Sequence, residues 1–312
     1  MDKQAQVLKM VPPSKRRKCK PLGGVLQIWV TRACENACWG CTQGSNFGGN
    51  FGFITIPQFI QACDSLKNYF GIVGLIGGNP TIHPKFTELC SILRDYFPQE
   101  KCGLWSNHPR GKGKDCRETF NPSVSNLNMH LDKEAFDEFR RDWPESRPFG
   151  LKDDSRHSPP YIAIKDVIDN EEEMWNLIVD CDINKHWSAM IAPFRGELRG
   201  YFCEIAAAQA ILHQHEDSYP DLGVPVEPGW WKHSMEAYTP QALYHCPACG
   251  IPLRARGCLS QENDGVNLVS ITHQSIAIPK VKDHKTLIVT DRSQLDEQSH
   301  ERITNYLGNA KE

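Results

Sequence analysis

Three cysteines stand close together early in the chain. Cys34, Cys38 and Cys41, in "TRACENACWGCTQG", follow a C-x3-C-x2-C spacing. Thiolates in such a run hold soft metals and iron–sulfur clusters, and a cubane normally takes four of them. Three thiolates on one loop leave one iron without a protein ligand. An open position of that kind lets a substrate or cofactor bind the metal directly, the logic that separates catalytic from structural zinc. The alternative is a zinc site completed by a distant His or Cys.

A second group lies downstream: Cys181, Cys203, Cys246, Cys249 and Cys258. Cys246-Pro-Ala-Cys249 is a C-x2-C knuckle, which serves zinc as well as iron–sulfur. The lone cysteines Cys63, Cys90, Cys102 and Cys116 read as buried packing residues. The chain has thirteen cysteines, and its opening, MDKQAQ, lacks the apolar core of a secretion signal. An odd, clustered set in such a chain predicts a reducing, cytoplasmic setting and metal ligation over disulfides.

The elements that would position these residues follow an alternating pattern. Apolar runs at 24–31, 71–78, 102–107, 123–131, 159–168 and 187–194 read as strands. Helical spacing of apolar residues covers 57–70, 84–97, 132–143 and 170–181, the last with an Asn cap and an acidic first turn. Such alternation implies parallel βα units in an open sheet or a barrel. Functional residues in these folds gather at the C-terminal ends of strands. Cys34, Cys38 and Cys41 follow the first strand, Gly77 to Asn79 the second, and Ser106 and Asn107 the third, so all three groups are expected on one rim.

The expected organisation is a flexible basic tail at 1–23, the alternating domain at 24–180, a cysteine-bearing module at 181–260 and an extension at 261–312. The module carries a hairpin around "WSAMIAPFRGELRGYF" and an Ala-rich helix; the extension carries a β-like run at 286–290. His213 and His215, one residue apart, fall on different helix faces and predict no shared metal. Trp230 and Trp231 read as packing. Net charge is −3 in 312 residues, with 23% charged and 40% hydrophobic residues. That balance gives no global attraction to nucleic acid or membrane, and no apolar stretch approaches the ~20 residues of a membrane span. G-x-S-x-G, Walker and H-E-x-x-H motifs are absent.

With its three cysteines after the first strand and "GGNPTIHPKF" after the second, the chain resembles the radical S-adenosylmethionine (SAM) superfamily. The resemblance implies a partial (βα) barrel, with a [4Fe–4S] cluster on Cys34, Cys38 and Cys41 whose fourth iron is chelated by SAM. It implies reductive cleavage of SAM to methionine and a 5′-deoxyadenosyl radical, which abstracts hydrogen from a substrate. Gly77, Gly78, Asn79 and Pro80 match the family's GGEP loop, with Asn79 where Glu is usual. An amide oxygen there still accepts a hydrogen bond from the SAM amino group, without the charge. Ser106 and Asn107, in "WSNHP", match the ribose-contacting strand end. The family's aromatic before the third cysteine is displaced here, with Gly40 at that position and Trp39 before it. Asp154, Arg156 and His157 just before the run at 159–168, with Lys165 and Asp166 near its end, read as polar loop; the alternative is an arginine pairing with the SAM carboxylate.

The downstream cysteines resemble the SPASM and twitch modules that carry auxiliary clusters. Five cysteines can fully ligate one four-ligand cluster, closer to the twitch form. Cys181, Cys203, Cys246 and Cys249 match best, Cys258 being the alternative fourth ligand, and zinc the alternative metal. The module suggests peptide or protein maturation; a nucleoside, sugar or other small molecule is the alternative substrate. A donor such as flavodoxin or ferredoxin is the expected partner. The remaining alternative is a non-catalytic iron–sulfur or zinc-binding protein.

Overall fold

The first apolar run becomes the middle of a sheet. In the computed structural model, which describes residues 1–16, 24–130, 132–146, 158–186, 188–255 and 265–295, every residue of β1 (Val25–Thr31) is buried. A strand covered on both faces needs this unbroken apolar pattern. The sheet continues with β2 (Ile72–Gly77), β3 (Cys102–Ser106), β4 (Asn126–Leu127), β5 (Ser188–Phe194), β6 (Glu197–Tyr201) and β7 (Val224–Pro225). Its spatial order is β4-β3-β2-β1-β5-β6-β7. The pairings from β4 through β1 to β5 are parallel, and β6 and β7 add an antiparallel edge.

Sequential order from β1 to β4 is consistent with a partial barrel. However, β5 pairs with the far side of β1 instead of continuing from β4. Strand order therefore reverses at β1, and the crevice beyond its C-terminal end is a topological switch point, where open α/β sheets take their ligands. The cysteine loop leaves the sheet there.

Ten helices are described: α1 (Lys3–Val7), α2 (Ile56–Ser65), α3 (Phe86–Tyr96), α4 (Lys112–Asp115), α5 (Lys133–Asp142), α6 (Ile164–Val167), α7 (Glu171–Val179), α8 (Asp182–His186), α9 (Glu204–His213) and α10 (Met235–His245). Their starts are chemically marked. Thr55 and Gln58 form a reciprocal capping box on α2, and Asn170 accepts from the Glu173 N–H at 2.9 Å at the start of α7. A separate parallel pair, β8 (Val266–Ser270) and β9 (Lys285–Val289), contains the run expected at 286–290.

Two expectations change. The run at 159–168 is not a strand but a turn leading into α6. Its backbone pairs with the cysteine knuckle instead of the sheet: Ile164 N–H donates to Cys249 O at 3.3 Å and Lys165 N–H to Pro247 O at 3.1 Å. A short buried apolar run fits either role by pattern alone. The expected N-terminal tail is packed over residues 3–16. Asp2 caps α1, Val7 and Met10 join the core, and the Arg16 side chain is 1% exposed.

Candidate metal centres

The first cysteine loop has little regular structure, and a buried arginine gathers it. From the end of β1, Arg32 donates through Nη1 to Gly44 O and Phe47 O, both at 2.8 Å. Through Nη2 it donates to Gly48 O at 2.8 Å and Asn50 O at 3.1 Å. Burial lowers the Arg32 pKa, and the four carbonyls stand in for the water it lost. Cys41 N–H donates to Cys38 O at 3.0 Å, and Gly44 N–H to Cys41 O at 3.1 Å.

Burial raises the Cys34 pKa, with further contributions from the Cys41 thiol and Glu35. A thiolate there needs a compensating cation, which a metal ion could supply. Asn36 N–H points at Cys34 Sγ at 3.4 Å, the kind of contact that tunes a cluster. Cys38 Sγ lies 3.5 Å from His130 Nδ1.

The second loop docks directly onto the first. Gly78 N–H donates to Thr31 O at 2.8 Å and Asn79 N–H to Ala33 O at 2.7 Å. A Cβ on Gly78 would sit 2.3 Å from Ala33 O and 2.6 Å from Ser45 Oγ; one on Gly77 would sit 2.1 Å from Thr31 O. These glycines therefore allow loop to meet loop. Pro80 opens a short 3-10 turn behind them.

The Asn79 side chain is held at both ends within the loops. Its Oδ1 already accepts from Thr81 N–H at 3.1 Å, Thr81 Oγ1 at 2.7 Å and Ser106 Oγ at 2.9 Å. Its Nδ2 donates to both carboxylate oxygens of Glu35, each at 3.0 Å. Ser106 thus reaches the loop through Asn79. Asn107 is buried, and its Oδ1 has no hydrogen-bond partner. Trp39 packs, half-buried, against the core.

Other residues at this site carried no sequence signal. Gln43, Ser45 and Asn46 are 3%, 1% and 1% exposed, yet Gln43 Oε1, Ser45 Oγ and both Asn46 side-chain polar atoms lack partners. Buried polar groups left open beside a loop of thiols fit a polar ligand. Lys280 arrives from the far end of the chain. Its ammonium donates to Cys34 O and, at 2.9 Å, to Asn36 O, and Gly48 N–H donates to Ile278 O at 2.7 Å.

Cys181, Cys203, Cys246 and Cys249 are all buried and lie within electrostatic reach of one another. Burial pushes the Cys203 thiol up to about 12, with Cys181 adding to it. Cys246 and Cys249 are raised by burial and then by the other thiols of the group. Cys203 is the N-cap of α9, Cys181 immediately precedes α8, and Cys246 and Cys249 close a turn after α10 through a 3.1 Å hydrogen bond. The Arg16 guanidinium lies within electrostatic reach of Cys203 and Cys181. Cys258, Asp154, Arg156 and His157 lie outside the described residues. Asp166 accepts from Thr272 N–H at 3.0 Å and Thr272 Oγ1 at 2.9 Å, and Cys63, Cys90 and Cys102 and Cys116 are core residues.

A buried relay braces the knuckle from outside. His213 Nδ1 lies 2.7 Å from Glu216 Oε1, and its Nε2 lies 3.1 Å from His273 Nδ1. His273 Nε2 reaches Ala248 O, between the two knuckle cysteines, at 2.6 Å. His215 is exposed. Burial pulls the His273 pKa down to about 4, against about 6.5 in an unfolded chain. The folded state thus excludes a proton that the unfolded state takes up. Stability present above about pH 6.5 is lost as pH falls toward the folded value. The unfolding midpoint is expected to drop between about pH 7.5 and about pH 5, and His273→Gln to flatten that slope by up to one proton, about 1.4 kcal/mol per pH unit. Thermal melts across the range check this, and an unchanged slope would contradict it.

Among the described residues, no three cysteine sulfurs in either group lie mutually within 4.8 Å; His108, Glu138 and Asp142 are the trio that does. Tetrahedral zinc, with Zn–S about 2.3 Å, needs sulfurs about 3.8 Å apart. The carboxylates of the trio are already paired, Glu138 with Arg110 at 2.9 Å and Asp142 with Lys114 at 3.0 Å. Among the described residues, no helix is long and apolar enough to cross a membrane.

No protein-family model and no curated protein matches the chain. Among solved structures it is similar to the crystal structure of BtrN in complex with AdoMet and 2-DOIA. The TM-score is 0.41 and the identity 11%, over 62% of this chain and 82% of that one. A likeness of that size carries no argument about fold or function.

Proposed function

We propose that the protein is a radical SAM enzyme. The observation that carries the reading is the docking of the three-cysteine loop onto the GGNP loop at the switch point, with unpartnered buried polar atoms beside it. Cys34, Cys38 and Cys41 would hold a [4Fe–4S] cluster. Cys181, Cys203, Cys246 and Cys249 would hold a second metal centre, a cluster or zinc, on four buried thiols. A cluster held by Cys34, Cys38 and Cys41 would supply the one-electron reduction of bound SAM that the radical SAM reading requires. Arg32 fixes the loop that carries the ligands.

Anaerobic reconstitution with iron, sulfide, SAM and dithionite tests the reading. Formation of 5′-deoxyadenosine is expected, with about eight irons per chain. Iron bound without 5′-deoxyadenosine would leave a non-catalytic iron–sulfur protein. Deuterium transfer into 5′-deoxyadenosine from labelled peptides or small molecules would distinguish the two substrate classes.

A further inference from the structure

We propose that Glu35, within the cysteine loop, is the carboxylate that receives the ammonium group of the amino-acid end of SAM, and that Asn79 positions it. The proposal rests on the radical SAM reading and adds a residue to it. Glu35 is the sole acidic residue from Thr31 to Cys63, and there is none from Ser65 to Thr87 or from Cys102 to Lys114. These stretches contain the loops after β1, β2 and β3, where the cysteines and the GGNP loop stand, and within those three loops Glu35 is the one carboxylate an ammonium could meet. The Asn79 amide oxygen cannot serve, being filled by Thr81 and Ser106.

Glu35 is held from two directions. Its carboxylate takes the Asn79 amide at 3.0 Å on each oxygen, and Asn79 is 2% exposed and fixed by three donors. Its backbone is held on both sides, because Lys280 grips the carbonyls of Cys34 and Asn36. One amide nitrogen leaves most of the carboxylate's lone pairs unused, and Glu35 itself is exposed, open to an incoming ligand. It stands next to Cys34 in the chain, beside the thiols that would carry the cluster. A charge fixed in advance needs little reorganisation when a cation arrives.

The test compares SAM with its analogue carrying hydrogen in place of the α-amino group, by anaerobic calorimetry on the iron-loaded protein. Glu35→Gln keeps the side-chain shape and removes the charge. It is expected to weaken SAM binding about tenfold or more, while the analogue binds as to the wild type. Asn79→Ala, which leaves the carboxylate and removes its holder, is expected to weaken SAM several-fold and spare the analogue. Iron content and melting temperature monitor folding. Equal SAM affinity in Glu35→Gln and wild type, or equal weakening of both ligands, would overturn the proposal. A wild-type protein that cleaves SAM while Glu35→Gln binds it normally sinks this inference alone; a wild type that binds no SAM sinks both readings.

Discussion

Replacing Cys34, Cys38 and Cys41 together by Ala is expected to abolish 5′-deoxyadenosine formation, by at least about a thousandfold, and to halve the iron from about eight to about four per chain. The loop itself should survive. Its shape is set by Arg32 and four carbonyls, by the Gly78 and Asn79 amides, and by Lys280, none of which involves a thiol. The second thiol group stands on other elements, α8, α9 and the turn after α10, and should keep its metal. Iron analysis with the product assay reads both effects. Loss of all iron would mean that the two centres do not assemble independently.

The reverse separation comes from one methyl group. Gly250 follows the knuckle and presses against the turn before α6: its N–H donates to Pro160 O at 3.0 Å, and its carbonyl accepts from Ser158 Oγ at 2.7 Å. A Cβ there would lie 2.0 Å from Pro159 O and 2.5 Å from Ile162 O. Both obstacles are backbone and cannot swing aside. Gly250→Ala must therefore push the knuckle off its support, breaking the Cys249 and Pro247 hydrogen bonds to α6. We expect loss of the second metal, a destabilisation of about 1–3 kcal/mol, and continued SAM cleavage at the first centre. A variant with full iron content would show that the knuckle reseats without this contact.

Much of this architecture was readable locally. The cysteine spacing, the strand before it and the caps at Thr55 and Asn170 lie within a few residues of the groups they serve, so pattern reveals them. Glu35 was hidden because a glutamate between cysteines looks like any solvated side chain until Asn79 is seen to grip it. For Asn79 the identity was visible and the orientation was not: which end of the amide faces the loop depends on Thr81 and Ser106. The run at 159–168 has a strand's composition, and only its pairing with the knuckle, some 85 residues downstream, decides otherwise. Arg16 and Lys280 act across still longer separations, where a single sequence holds no trace of contact.

The clasp at Lys280 also bears on the order of events in the cell. The backbone it grips at Cys34 lies 246 residues earlier in the chain. A ribosome adding about 5–20 residues per second exposes the three cysteines roughly 12–50 s before the lysine that secures them is made. Throughout that interval the loop is incomplete, and its thiols are open to oxidation or to the wrong metal. If this loop takes iron as proposed, loading is expected only after Lys280 has been made, and anaerobic or chaperoned synthesis should raise the iron bound at Cys34, Cys38 and Cys41.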